Sequence, residues 1–370
     1  MIIPFDRTKP YNTLPLLPPP DERILTIEIL SALNKANKAL AELKGLAKTL
    51  PNQSMLVNTI ALRESKASTA IENIFTTDDK LYKALSGNDS KLDANAKEVL
   101  RYIQALWEGY STIKSKKTIT LEMMIKLYRE IKQLKDGIRP PQSETVIMKH
   151  GSGLLGGSIV YTPPRGEKLI RQKLTNLIEF INNDKKYDYD PLLKMAIGHY
   201  QFEAIHPFRD GNGRTGRILN TLIMIQKDLL DFPILYLSAY IIQNKEDYYA
   251  NLNKVTSQRN WHHWIIYMLN ATEETAKYTI KKINEIDALF NKTLQLVRKK
   301  YPSMKKEVVE QIFEQPYTSP KKLLNKNTKS VNTAKKYLEQ LHKIKIMVPE
   351  KIGKEVIYLN VDLFNLLAES

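Results

Sequence analysis

The chain contains no cysteine, which excludes disulfides and thiol catalysis and fits a reducing compartment. Its first residues, Met1-Ile2-Ile3-Pro4-Phe5-Asp6, lack the charged and apolar blocks of a secretory signal. The most apolar stretch is interrupted by Gln226, Lys227, Asp228 and Asp231 before it reaches membrane-spanning length. These absences predict a cytoplasmic protein without membrane contact. Neither GxxxxGK[ST] nor HExxH occurs, so the common phosphate loop and the zinc-hydrolase helix are both missing. The adjacent His262 and His263 point to different helix faces and make no metal pair. Internal repeats and long low-complexity segments are absent, and acidic residues are few, 40 Asp and Glu against 56 Lys and Arg, for a net charge of +16.

What is present is concentrated in twelve residues, His206-Pro207-Phe208-Arg209-Asp210-Gly211-Asn212-Gly213-Arg214-Thr215-Gly216-Arg217. They supply a proton acceptor (His206), a hard-cation ligand (Asp210), an unhindered backbone loop (Gly211 to Gly213) and two guanidiniums (Arg214, Arg217). Upstream, Pro191 at a first turn and the spacing of Leu192, Met195, Ala196, His199 and Phe202 predict a helix that Pro207 ends. Downstream, Ile218, Leu222, Ile225 and Leu229 predict a second helix beginning near Gly213. A glycine loop that opens a helix presents free amides and the positive end of the helix dipole to an anion. Arg214 and Arg217, three residues apart, lie on one face of the first turns and can grip phosphate bidentately.

The run resembles the signature of the Fic family, HPFx[DE]GNGRxxR, at every specified position. The resemblance implies an enzyme that transfers AMP from ATP to a Ser, Thr or Tyr hydroxyl of a target protein and releases pyrophosphate. It implies that His206 takes the hydroxyl proton, that Asp210 binds Mg²⁺, and that Gly211, Asn212 and Gly213, with Thr215 and Gly216, belong to the phosphate-binding turn. Arg214 would meet the β-phosphate and Arg217 the γ-phosphate, with Phe208 anchoring the loop inward.

Three further stretches take meaning from that likeness. Ser68-Thr69-Ala70-Ile71-Glu72-Asn73 fits the pattern [ST]xxxE[GN] of the family's inhibitory helix, with Ser68, Glu72 and Asn73 at the specified positions. Glu72 would pair with Arg217, occupy the guanidinium that the γ-phosphate needs and keep the enzyme nearly silent. In some relatives this glutamate supports removal of AMP, so a reverse hydrolytic activity stays open. Gly156-Gly157-Ser158-Ile159-Val160-Tyr161-Thr162-Pro163-Pro164 reads as a short edge hairpin and resembles the family's flap, which holds the target by main-chain pairing; that likeness implies Ile159, Val160, Tyr161 and Thr162 as target-binding residues. For the adenine side the candidates are Gln243 and Tyr249.

The expected fold class is mainly α: a Fic-type helical core with a small β-hairpin flap, a helical N-terminal module and a C-terminal winged helix-turn-helix. The expected divisions are 1–110 (helical module with the inhibitory helix), 111–274 (catalytic core), 275–300 (charged connecting helix) and 301–370 (winged unit). Tyr11 to Pro20 reads as a proline-rich arm lying on the body. From Lys292 onward there are 16 Lys and Arg against 8 Asp and Glu. A helix (Val308, Ile312), a short helix from Pro320 to Asn325, a helix started by Ser330, and the runs Ile346 to Val348 and Val356 to Leu359 flanking Gly353 resemble a winged helix. Lys329, Lys335, Lys336, Lys343 and Lys345 could face DNA phosphate, although no obvious base-reading set accompanies them; such units also contact proteins. Two functions remain open: an autoinhibited AMP transferase, with ATP and Mg²⁺, acting on proteins and on itself, or a DNA-binding regulator whose core senses nucleotide. Helical surfaces of the N-terminal module could support a homodimer.

Overall fold

A computed structural model describes residues 5–49, 53–85, 93–140, 145–149, 158–325, 328–352 and 355–368. The N-terminal half opens with α1 (Ile27–Thr49), α2 (Gln53–Ile71), α3 (Asp78–Leu85), α4 (Ala94–Lys116) and α5 (Leu121–Lys132). In α1 the buried residues Ile29, Leu33, Ala36, Leu40, Leu43 and Ala47 recur at three- and four-residue steps, the stripe a surface helix buries. Asp93 and Thr120 start α4 and α5 by accepting the amides of Ala96 and Met123, which satisfies donors that a helix start leaves free. The end of α2 is closed by Asn73, whose left-handed backbone (φ 62°) suits a residue type that tolerates that conformation.

The hairpin follows, with β1 (Ile147–Lys149) antiparallel to β2 (Ser158–Tyr161). Gly156 and Gly157, expected to open it, lie outside the described residues. Next come α6 (Glu167–Asn182), α7 (Pro191–Ile205), α8 (Asn212–Gln226), α9 (Leu237–Gln243), α10 (Lys245–Gln258) and α11 (Trp261–Lys300). Asp190 caps α7 through the amide of Leu192, with Pro191 at the first turn. Both α7 and α8 are buried on nearly every side; they form the centre, and the other helices wrap them. The 40-residue α11 bridges the two cores of the molecule: its first half packs on α1 and α7, and its second half leads into the C-terminal unit.

That unit comprises α12 (Lys306–Phe313), β3 (Tyr317–Thr318), α13 (Val331–Lys343), β4 (Met347–Ile352), β5 (Glu355–Asn360) and α14 (Val361–Ala368), with an antiparallel sheet in the order β3-β5-β4. The short helix expected from Pro320 to Asn325 is instead a single turn, closed by Lys322 and Leu323 amides on the Ser319 carbonyl. One turn anchors Leu323, which is fully buried, and helix propagation beyond a nucleus is not needed there. Gly353 lies outside the described residues. A second apolar core joins Phe313, Leu338 and Leu341 of this unit to Leu62 of α2, Leu81 and Tyr82 of α3, and Val99 of α4. Tyr317 donates to Asp79 at 2.6 Å and Lys83 pairs with Glu350 at 2.6 Å, so α3 is clasped by the sheet. Among the described residues no helix is long and apolar enough to cross a membrane.

Candidate active site

The link between α7 and α8 is held from both sides. His206 takes a left-handed backbone (φ 49°) and its amide donates to Phe202 O; Pro207 cannot continue the helix. Asn212 accepts the Phe208 amide at 2.9 Å and donates to the Phe208 carbonyl at 2.8 Å. Phe208 is fully buried and stacks on Tyr128 with ring centroids 4.3 Å apart. Arg139, 2% exposed, donates to the carbonyls of His206 (2.8 Å), Ile205 (3.4 Å) and Pro164. A buried guanidinium thereby satisfies the carbonyls that the end of α7 leaves unpaired. Gly211 has φ 74°, a conformation cheap for glycine, and as the residue before α8 it turns the chain into that helix.

The cavity beside it is lined by Glu72, Val160, Tyr161, Glu203, His206, Gly213, Arg217, Tyr248 and Tyr249, together with Ile147, Leu252 and Asn253. Arg217 is 2% exposed and has its arms engaged from α2 or just beyond it. Nη2 donates to Glu72 Oε1 at 2.9 Å and to the Ser68 carbonyl at 2.9 Å, and Nε donates to Ser68 Oγ at 2.8 Å. Gly213 makes room for the pair, since a Cβ there would stand 2.4 Å from Glu72 Oε1 and 2.9 Å from Arg217 Nη1. Burial pushes the Glu72 carboxyl up, but the charge and hydrogen bond of Arg217 outweigh it and hold Glu72 below its ordinary range. Asn73 does not reach Arg217; its Oδ1 accepts from Lys245 at 3.4 Å, while Lys245 also caps α2 at the Ile71 carbonyl (2.6 Å).

Arg214, equally buried, pairs with Glu98 of α4 and stands 3.8 Å from Asp210. Asp210 meets Lys132 of α5 at 2.6 Å; burial raises its pKa, yet the Lys132 hydrogen bond and charge leave it below the ordinary value. Its carboxylate is thus ionised, and its side chain is 62% exposed. Among the described residues no three metal-ligating side chains cluster. One exposed, ionised carboxylate just before the start of α8 still fits Mg²⁺, an ion that takes most of its ligands from water and phosphate groups. Burial and the Arg139 charge push His206 down to about 4, so its imidazole is neutral near pH 7 and able to accept a proton.

The other sequence candidates divide. The Thr215 hydroxyl is fully buried and donates to the Gly211 carbonyl (2.9 Å), and Gly216 lies against α7, so both serve the turn and do not line the cavity. Tyr249 lines it; Gln243 is exposed at the end of α9 and does not. Val160 and Tyr161 of the hairpin form one wall, with Tyr161 bonded to the Ala204 carbonyl at 2.7 Å. Ile159 stands opposite Met148 in the register. Thr162 binds the N-terminal arm, its hydroxyl donating to Arg7 O at 2.7 Å and its carbonyl accepting from Tyr11 at 2.9 Å. Sequence reasoning did not single out Lys132, Glu98, Arg139 or Glu203. The first three act across the fold and leave no local pattern; Glu203 stands one helical turn before His206, a spacing that could have flagged it.

Three family models match the chain: the Fic/DOC family N-terminal model over residues 30–111, the Fic/DOC family model over 118–224, and the C-terminal domain model of SoFic-like protein adenylyltransferases over 289–363. The protein adenylyltransferase fic-1 of Caenorhabditis briggsae is 36% identical over 93 residues, 25% of this chain and 17% of that protein. A probable protein adenylyltransferase of Aquifex aeolicus is 28% identical over 203 residues, 54% of this chain and 57% of that protein. The chain thus spans about a sixth of the length of the first curated relatives it matches. A Fic family protein from Desulfovibrio desulfuricans G20 superposes with TM-score 0.57 at 18% identity over 90% of this chain and 96% of that one. Fic-1 of Caenorhabditis elegans does so with TM-score 0.53 at 20% identity over 70% and 74%. At such identities these structures speak for the fold.

Proposed function

For a chain that belongs to the Fic/DOC family, we propose the function of an autoinhibited protein adenylyltransferase, transferring AMP from ATP to a Ser, Thr or Tyr hydroxyl of a target protein or of itself, with release of pyrophosphate. The observation that carries the reading is the juxtaposition, in one cavity, of a neutral His206 and an Arg217 clasped by Glu72 and Ser68. His206 takes the proton of the attacking hydroxyl, whose oxygen forms the new bond to the α-phosphorus as the bond to pyrophosphate breaks. The amides at the start of α8 hold phosphate oxygens, and Arg214 and Arg217 carry the outer phosphates once their carboxylates let go. Asp210 would hold Mg²⁺, which supplies charge neutralisation on the polyphosphate. Val160 and Tyr161 of the hairpin place the target segment beside His206.

With Glu72 on Arg217 the γ-phosphate has no guanidinium, and the resting protein is nearly silent. The same carboxylate, lining the cavity beside His206, could activate water, which leaves hydrolytic removal of AMP open as a second activity of this site. We assign the protein to the cytoplasm from its lack of cysteine. A second reading, a DNA-binding regulator with a winged C-terminal unit, draws on Lys329, Lys335, Lys336, Lys343 and Lys345, all exposed; positioning DNA or a protein target would suit the same surface.

The test incubates wild type, Glu72→Gly and Glu72→Gly/His206→Ala with α-phosphate-labelled ATP and Mg²⁺, with and without lysate, followed by autoradiography. Label on protein in the Glu72→Gly sample alone is the expected result. Equal label in wild type and Glu72→Gly would remove the inhibitory role. No label anywhere, together with steeply salt-dependent duplex binding, would favour the regulator.

A further inference from the structure

One carboxyl of the cavity has no task in this mechanism. Glu203 stands in the last turn of α7, three residues before the left-handed His206 that ends the helix, and both line the cavity with Glu72 and Arg217. Its Oε1 is buried without a hydrogen-bond partner, a costly arrangement for any carboxyl and most of all for an ionised one. The fold nevertheless makes space for it: a Cβ at Gly216 would stand 2.4 Å from Glu203 Oε1, closer than such atoms approach. Two glycines three apart on one face of α8 therefore accommodate two carboxyls, Gly213 that of Glu72 and Gly216 that of Glu203.

The groups around Glu203 are Glu72, Arg217 of α8, Tyr248 and Tyr249 of α10, His199 of its own helix and His206 just past that helix's end. Burial raises its pKa to about 8, Glu72 adds to the rise, and Arg217 opposes it. Near pH 7 it is an uncharged acid with a proton to donate.

We propose that Glu203 is a nucleotide-contacting residue whose carboxylic acid donates a hydrogen bond to an oxygen of the polyphosphate that Arg217 receives. The inference rests on the transferase reading for the identity of that ligand. Position decides for phosphate over base: the carboxyl lies over Gly216, beside Arg217 and one turn from the anion-binding start of α8, whereas Tyr249, the base-side candidate, lines the cavity from α10. A carboxylate there would repel the polyphosphate, and a neutral acid attracts it. Departure of Glu72 removes one negative neighbour and arrival of the nucleotide restores negative charge, so Glu203 stays protonated in the bound state. Raising the pH ionises it in the free protein first, and binding must then recover a proton. Affinity therefore falls by up to tenfold per pH unit on the alkaline side.

The experiment measures binding of ATP, pyrophosphate and adenosine to full-length Glu72→Gly, Glu72→Gly/Glu203→Gln and Glu72→Gly/Glu203→Ala by calorimetry from pH 6.5 to 9. Glutamine keeps the size and a donor and cannot ionise. ATP and pyrophosphate are expected to lose about five- to tenfold in affinity between pH 8 and 9 in the Glu72→Gly protein relative to the Gln variant, which keeps its pH 7 affinity within about threefold. The Ala variant is expected to bind both more weakly at every pH, and adenosine to be indifferent to all three. Identical slopes with and without Glu203 overturn the inference, as does an effect on adenosine equal to that on ATP, which would assign Glu203 to the base. Intact binding slopes without any AMP transfer would break the proposed reaction and leave this contact standing.

Discussion

Arg217 and Lys335 carry the same charge in opposite surroundings. Arg217 is 2% exposed, with three hydrogen bonds to Ser68 and Glu72 in a cavity shared with His206. Lys335 stands exposed on α13 with four more exposed lysines nearby in the sequence. Two unit charges 4 Å apart attract by about 1 kcal/mol in water and about 4 kcal/mol at the effective dielectric near a protein surface, more when buried. A single carboxylate therefore governs Arg217, while the lysines of the C-terminal unit contribute a field that salt screens over roughly 10 Å. Half of the net charge lies after residue 291, and the reactive groups lie elsewhere.

The comparison is broken most directly at the reactive end. His206→Ala in a Glu72→Gly background is expected to lower transfer by about 10²- to 10⁴-fold, the usual worth of a positioned base, with ATP binding retained; transfer within threefold of the parent would overturn the assignment. Glu72→Gly alone should raise transfer by about 10- to 100-fold, the equivalent of one charge-assisted hydrogen bond to a buried group. A titration sharpens the point. Because burial and Arg139 depress His206 to about 4, the acidic limb of kcat/KM in Glu72→Gly should lie well below pH 6. The stability consequence has the matching sign: the unfolded imidazole takes its proton near 6.5, the folded one only near 4, so His206 lowers stability as pH falls through that window. An acidic limb at 6.5 would show that His206 is not buried as described.

Smaller effects test the scaffold and the surface. Asn212→Ala strands the amide and carbonyl of Phe208 and should cost about 1–3 kcal/mol of stability by denaturant melting; a loss under about 0.5 kcal/mol would mean the loop stands without it. Lys335→Ala with Lys336→Ala should change stability by no more than about 0.5 kcal/mol and leave transfer to self untouched. If this unit holds DNA, the slope of log affinity against log salt should fall by about 0.9 for each phosphate that the two lysines had neutralised; an unchanged slope removes them from any such role.

Much of this organisation was legible residue by residue. Pro191, Pro207 and Gly211 punctuate the chain where α7 begins, where it ends and where α8 starts, because proline and positive-φ glycine act through local backbone sterics. Ser68 and Glu72 were legible as a pattern four residues apart, and the structure places both on Arg217, 145 or more positions away. Gln243 shows the limit of such reasoning, as it shares a segment with Tyr249 and faces solvent at the end of α9. So does Pro320 to Asn325, where helix-compatible residues make one turn because Leu323 needs only to be anchored in the second core. Lys132 on Asp210, Glu98 on Arg214 and Arg139 on the end of α7 left no local trace, since each joins elements far apart in the chain.

The sequence by itself determined the mainly helical class, the boundaries of the central helices and the chemical types available for a phosphate-binding turn, all of which depend on spacing within a few residues. Only the tertiary structure decided the electrostatic state of those groups. A carboxylate, an imidazole or a guanidinium acquires its protonation and its reach from what buries it and what charge lies opposite, and both come from helices that meet only once the chain is folded.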